Sequence, residues 1–203
     1  MRRAAALAAL VMVLAAVAAA CGGSDEGSTG TTATAEATFD TEAALVALSD
    51  LPEDWTRDPQ PDDAEQGEFC GERVAVDELE ESAAEFSEDR GLPQIESQVN
   101  AYAPGDAVAA MADARTILDG CEQFIADTRT WDVAEIDFPA LGDESIARLL
   151  TTEVEGVDLG LYAIFIRVGD GIASFGYAGV DPSPREAARF ARVAEQNLRA
   201  AQQ

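Results

Sequence analysis

The sequence predicts an α+β domain in which a largely antiparallel sheet packs against two amphipathic helices and is closed by one disulfide. Three observations point there. Residues 104–119 and 184–201 carry apolar side chains at helical spacing between recognisable end signals. Runs of strand composition fill the intervening chain, and Val168-Gly169-Asp170-Gly171 reads as a tight hairpin turn, a connection that joins antiparallel neighbours. Cys70 and Cys121 form an even pair once Cys21 is set aside.

In chain order, the first element is a leader. Met1-Arg2-Arg3 is a positive start, and Ala4 to Ala20 is an unbroken apolar run of seventeen residues, mostly alanine. A transmembrane helix needs about 20 apolar residues, and alanine contributes little to insertion. The run ends Ala18-Ala19-Ala20-Cys21. This resembles the lipobox of bacterial lipoproteins, with Ala18 where leucine is commoner. The resemblance implies that residues 1–20 are a signal peptide, that Cys21 is acylated (palmitate-type chains), and that the chain sits on the extracytoplasmic face of the cell membrane through that anchor. A plain secretory signal would not require Cys21. Residues 21–39 are Gly, Ser, Thr, Ala and acid with one aromatic at the end, the composition of a disordered tether. The α+β domain then covers residues 40–203.

Within the domain, Thr41 is placed to cap a short helix through Leu48, with Ala44, Leu45 and Leu48 on one face. Leu51-Pro52 breaks it, Trp55 enters the core, and residues 59–63 are loop. A helix or turn is expected at 77–81 and a strand at 83–87. Residues 94–102 alternate: Ile95, Ser97, Val99 and Ala101 share one face, and Gln94, Glu96, Gln98 and Asn100 the other, as in a half-buried strand. The helix at 104–119 starts on Pro104, carries Val108, Met111, Ala112, Arg115 and Leu118 along one stripe, and ends at Gly120. One or two strands are expected in 122–136, with Phe124 and Trp131 buried. After a turn at 139–143 come strands at 144–154, 160–168 and 171–178. The last helix opens with the capping box Ser183-Pro184-Arg185-Glu186. Its apolar stripe is Ala187, Phe190, Ala191, Ala194 and Leu198; Arg185, Arg189, Arg192 and Arg199 face solvent.

Composition excludes several functions. The formal charge is −26, and loss of Arg2 and Arg3 with the leader would leave −28 on the remaining 183 residues. Such a surface repels phosphate backbones, so no nucleic-acid partner is expected. Solubility at the cell surface accounts for this charge more simply than a basic partner does. Every basic residue is arginine, and with the abundant Ala, Gly, Asp and Glu this matches a high-GC, actinobacterial codon bias. Histidine is absent, which removes the usual general base and the commonest zinc ligand. In an oxidising compartment Cys70 and Cys121 favour a disulfide, worth roughly 4 kcal/mol for a separation of 51 residues; two inert thiols are the alternative.

Several stretches occur together in a recognisable order: residues 44–55, ending Asp50-Leu51-Pro52-Glu53-Asp54-Trp55; then Cys70, an alternating strand, an alanine-rich helix and Cys121; then Leu141-Gly142-Asp143-Glu144-Ser145 ahead of Phe165-Ile166-Arg167-Val168-Gly169-Asp170. Over about residues 41–201 this is similar to the extracellular sensor domain of mycobacterial PknH-type receptor kinases and its free-standing lipoprotein relatives. The resemblance implies an α+β fold with a cleft between sheet and helices for an undefined ligand. That family typically has two disulfides, whereas only Cys70 and Cys121 are available here. No ligand-site residue is carried over.

Candidate chemistry is sparse. Asp143-Glu144-Ser145 puts carboxylates beside a hydroxyl, but with neither histidine nor lysine a nucleophilic serine has no base, and a capped turn is the simpler reading. Acidic clusters at Asp62-Asp63, Glu78-Glu80-Glu81 and Glu85-Glu88-Asp89 lack the EF-hand spacing and read as solvated surface. Paired carboxylates of a glycosidase are not visible from sequence, and a 6% aromatic content is thin for a sugar platform. Trp55, Trp131, Phe165 and Phe175 are candidates for a pocket wall or, more simply, for the core. The sequence therefore predicts no catalytic residue, no metal and no cofactor. It predicts a non-enzymatic, membrane-tethered sensor or binding domain for an unknown small ligand or envelope protein, with a carrier of a lipid or other apolar ligand as the alternative.

Overall fold

A computed structural model describes residues 37–59, 70–88, 91–126 and 128–203. The predicted leader, Cys21 and most of the predicted tether lie outside the described residues, as do Asp62, Asp63 and Asp89. Among the described residues eight strands form one sheet: β1 Trp55–Arg57, β2 Glu80–Glu88, β3 Gln94–Ala101, β4 Gln123–Ala126, β5 Arg129–Glu135, β6 Glu144–Val154, β7 Val157–Val168 and β8 Gly171–Val180. Two α-helices accompany them among the described residues, α1 Asp106–Asp119 and α2 Pro184–Ala201. The strand order is β1-β2-β3-β8-β7-β6-β5-β4, and every pairing is antiparallel.

Local turn chemistry sets the long hairpins. Glu155 and Gly156 both have positive φ between β6 and β7, the requirement of a type I′ turn. Gly169 has positive φ between β7 and β8, where the sequence placed its hairpin. The pairing of β3 with β8, with Ser97 opposite Phe175 and Gln98 opposite Ser174, is the long-range contact that closes the sheet.

Each sheet face carries one helix. On the first face, Ala187, Phe190, Ala191, Ala194 and Leu198 of α2 share a buried cluster with Ile95, Val99, Ile164, Ile166 and Phe175. Phe190 meets Trp55 and Tyr177, both at 5.8 Å between ring centres. Ser183 Oγ accepts from Glu186 N at 3.4 Å, the predicted N-cap. On the opposite face, Ala107, Ala110, Met111, Ala114 and Leu118 of α1 cluster with Ile146 and Ile172. A disulfide joins Cys70 to Cys121, two residues beyond α1, with 6.0 Å between their Cα atoms.

The structure differs from the sequence reading at several points, each with a physical cause. Phe39, read as the end of the tether, is buried in the first-face core. Residues 41–48 are turns followed by a short 3-10 helix, Leu48–Asp50, rather than one helix. Thr41 is fully buried and bonds Glu80 and Ser82 instead of capping, and Val46 N–H donates to Ser97 Oγ at 3.2 Å. Those tertiary bonds take the donor and side chain that a helix would need. Residues 77–79 are irregular and the strand begins at Glu80. α1 starts at Asp106, because Gly105 has a φ of +91° and cannot be helical. Its N–H donates to Asp170 Oδ1 at 2.9 Å; Met111 and Leu118 of the expected stripe are buried, while Val108 faces solvent and Ala107, Ala110 and Ala114 pack with Ile146 and Ile172. β7 begins three residues earlier and β8 ends two residues later than expected.

Candidate functional site

The largest departure is β3. Its alternation predicts a strand with one wet face, yet every residue from Ile95 to Ala101 is buried. The apolar side lies under α2. The polar side, Glu96, Gln98 and Asn100, lies on the α1 face. The register places β2 residues Glu85, Ala83 and Glu81 beside these three, and β8 residues Gly176, Ser174 and Ile172 on their other side. A polar strip therefore runs across the sheet next to α1.

Beside this strip is a pocket of about 80 Å³. Gln98, Asn100 and Ser174 form its floor, Ala110, Met111 and Ala114 of α1 one wall, and Val74, Val76 and Glu78 the chain that enters β2. Phe165, Ile172 and Tyr102 complete it. Its lining is thus apolar on the helix side and polar on the sheet side.

The polar groups are unevenly satisfied. Asn100 Nδ2 donates to Glu81 Oε2 at 3.1 Å. Gln98 is 3% exposed, and its Oε1 has no hydrogen-bond partner among the described residues. Glu96, two residues along the same strand face, is 6% exposed, and its Oε2 is likewise unpartnered. A buried polar atom without a partner costs about 1–3 kcal/mol, so two such atoms side by side on one strand call for an explanation.

The electrostatics share one sign. Burial, reinforced by Glu85 and then Glu81, pushes the Glu96 carboxyl from 4.5 up to about 8. Burial also raises Glu78, opposed by a backbone hydrogen bond and aided by Glu81 and Asp77. Glu85 is raised by burial and by Asp58. The Tyr102 hydroxyl is held well above its usual range by burial, then by Glu78 and Glu81. In each case burial is the larger cause and neighbouring carboxylates add to it, and Glu78 is the one charged residue lining the pocket among the described residues.

The residues singled out by sequence land in several places. Cys21 lies outside the described residues. Cys70 and Cys121 are joined, and hold the chain entering the 74–78 wall to the end of α1. Asp143, Glu144 and Ser145 are structural: Ser145 Oγ accepts from Leu141 N at 3.1 Å, Asp143 Oδ2 accepts from Gly169 N at 2.8 Å, and Glu144 accepts from Arg115 at 2.9 Å. Of the four aromatics, Phe165 lines the pocket, while Trp55, Trp131 and Phe175 are core. Of the acids read as solvated surface, Glu81 is exposed, while Glu78 is half-buried in the pocket wall and Glu85 half-buried beside Glu96. Sequence reasoning missed Glu96, Gln98, Asn100 and Ser174. The available signal was the polar face of β3 itself, which pattern alone assigns to water. Among the described residues no group of three or more His, Cys, Asp or Glu is arranged to hold a metal ion. No helix among them is long and apolar enough to cross a membrane.

The fold and site together define one antiparallel sheet with a helix on each face and a small, polar-floored pocket beside one of them. No protein-family model matches the sequence, and no curated protein sequence matches it. Among solved structures, the chain is similar to the extracellular domain of PknH from Mycobacterium tuberculosis, with a TM-score of 0.45 and 12% sequence identity. The match covers 60% of this chain and 63% of that domain.

Proposed function

We propose that this chain is a lipoprotein, held at the extracytoplasmic face of the cell membrane by acylated Cys21, whose domain binds a small ligand as a sensor and catalyses no reaction. The observation that carries the binding part is the unpartnered, buried Gln98 Oε1 on the floor of a pocket with an apolar wall. A site with convergent polar groups set in apolar surface is the usual form of a ligand site. The anchor is supported by Ala19-Ala20-Cys21 after the seventeen-residue apolar run. The membrane is then a partner through the lipid alone, and the small ligand, or an envelope protein that presents it, is the second partner. A lipid carrier would call for a cavity of roughly 300 Å³ or more; a pocket of about 80 Å³ with a polar floor favours a small ligand over that reading.

The test is native mass spectrometry of the protein released gently from its own host, with a palmitate analogue fed during growth. The expected result is a labelled chain carrying a small co-purifying mass, which is lost in Gln98→Leu. An unlabelled product retaining residues 1–20 would refute the anchor. A bare mass in both proteins would refute the binding role. Turnover of a substrate that one carboxylate substitution abolishes would refute the non-catalytic reading.

A further inference from the structure

The pocket's donor and acceptor balance narrows what it can hold. Gln98 Oε1 is a buried acceptor with no donor. One N–H of the Asn100 amide donates to Glu81, and its carbonyl oxygen is a further acceptor on the same strand face. Glu78 adds a carboxyl to the lining, and among the described residues no arginine lines the pocket. The polar side therefore presents an unsatisfied acceptor and a carboxyl, with the Ser174 and Tyr102 hydroxyls as neutral donors and no positive charge among the described residues. The opposite side, Met111 with Phe165 and Val74, is hydrocarbon.

Several ligand classes fail against this set. A carboxylate or phosphate would meet acceptors and Glu78, with like charges of Glu81 and Glu85 on the neighbouring strand. A metal ion would need a fuller shell of oxygen ligands than the described residues bring together. A purely apolar molecule would leave Gln98 Oε1 as it stands, at the cost of a buried unsatisfied acceptor. A primary ammonium group carries three N–H donors and a positive charge on a short apolar stem, and it matches each side of the pocket.

We propose that the pocket takes a small organic ammonium ion, its nitrogen donating to Gln98 Oε1 and facing Glu78, its hydrocarbon against Met111 and Phe165. This rests on the pocket being the ligand site proposed above. The volume of about 80 Å³ suits a head group with a few carbons.

The experiment uses the full chain labelled with ¹⁵N and titrated with n-propylammonium, propan-1-ol, propionate and calcium at matched ionic strength. The readout is the Gln98 side-chain N–H₂ pair, assigned by its absence in Gln98→Leu. The expected result is saturable shifts of that pair with propylammonium at a Kd of about 1 mM, and binding about tenfold weaker or worse for the isosteric alcohol and acid. Glu78→Gln should weaken propylammonium binding about tenfold with the rest of the spectrum unchanged. Equal or tighter binding of propan-1-ol or propionate overturns the ammonium assignment while leaving a ligand pocket in place. Shifts from calcium but not from propylammonium overturn it in favour of a metal. Absence of saturable shifts with all four probes overturns it as well, and the co-purifying mass then judges the binding role separately.

Discussion

Replacing Glu96 by glutamine should change how stability depends on pH, and the size of that change follows from the burial of one carboxyl. In the folded chain the Glu96 proton is held until about pH 8, because the charged form would be buried beside Glu85 and Glu81; unfolded, it leaves near 4.5. Between those values the native state binds a proton that the unfolded state has released, so unfolding free energy falls as pH rises. At roughly 1.36 kcal/mol per pH unit, this stabilisation is fully present below pH 4.5 and about 5 kcal/mol of it is gone above pH 8, a large share of the ~5–15 kcal/mol of a typical domain. Glutamine resembles the protonated acid in shape and does not titrate. Urea unfolding followed by circular dichroism, with the disulfide intact, should be run on both proteins from pH 4 to pH 9. Any pH-independent cost of burying the amide cancels when the difference between the proteins is compared across pH. Relative to wild type, Glu96→Gln should gain several kcal/mol between the two ends, most steeply from about pH 5 to pH 8. If the two stability curves run parallel within about 1 kcal/mol, Glu96 ionises near its ordinary value and the account of the polar strip is wrong.

Three further outcomes follow from the packing. Replacing Cys70 and Cys121 by alanine should lower stability by roughly 4 kcal/mol, read as a fall in the urea midpoint with little change in native circular dichroism, since the bridge spans 51 residues. Phe190→Ala empties the contact among Trp55, Tyr177 and the first sheet face and should cost about 3–5 kcal/mol by the same assay. Gly142→Ala should cost more than about 2 kcal/mol, because φ is +63° and a Cβ would run into the Arg167 carbonyl oxygen; a neutral result in thermal unfolding would contradict the described turn.

Much of the fold was legible in advance, and the parts that were not share a cause. α2 was readable because its cap, proline, stripe and charged face agree at every level. The hairpin at Gly169-Asp170 was readable because its backbone demand is local. The segment around Thr41 was not: its helix signals are also local, but Glu80, Ser82 and Ser97 compete for the same groups and win. The stripe of α1 was read in part: Met111 and Leu118 are buried, but Val108, Ala112 and Arg115 are exposed and Ala107, Ala110 and Ala114 take their place, a choice made by packing against distant strands. The site was least legible. Glu96, Gln98 and Asn100 look like the solvent face of a half-buried strand, and nothing in their neighbourhood announces the helix that lies beside them.

By itself, the sequence determined the kinds of element, their order, the cysteines available for pairing, and the chemistry removed by having no histidine and no lysine. These follow from short-range sterics, caps and composition. Tertiary structure alone decided that β8 lies beside β3, that both faces of β3 are covered, and that Glu78, an acid read as surface, lines a pocket. The reason is that burial is not a property of a strand's pattern. It depends on what the rest of the chain lays across each face, and here α1 lies beside Gln98 and Asn100, polar residues that could have met water and instead line a pocket.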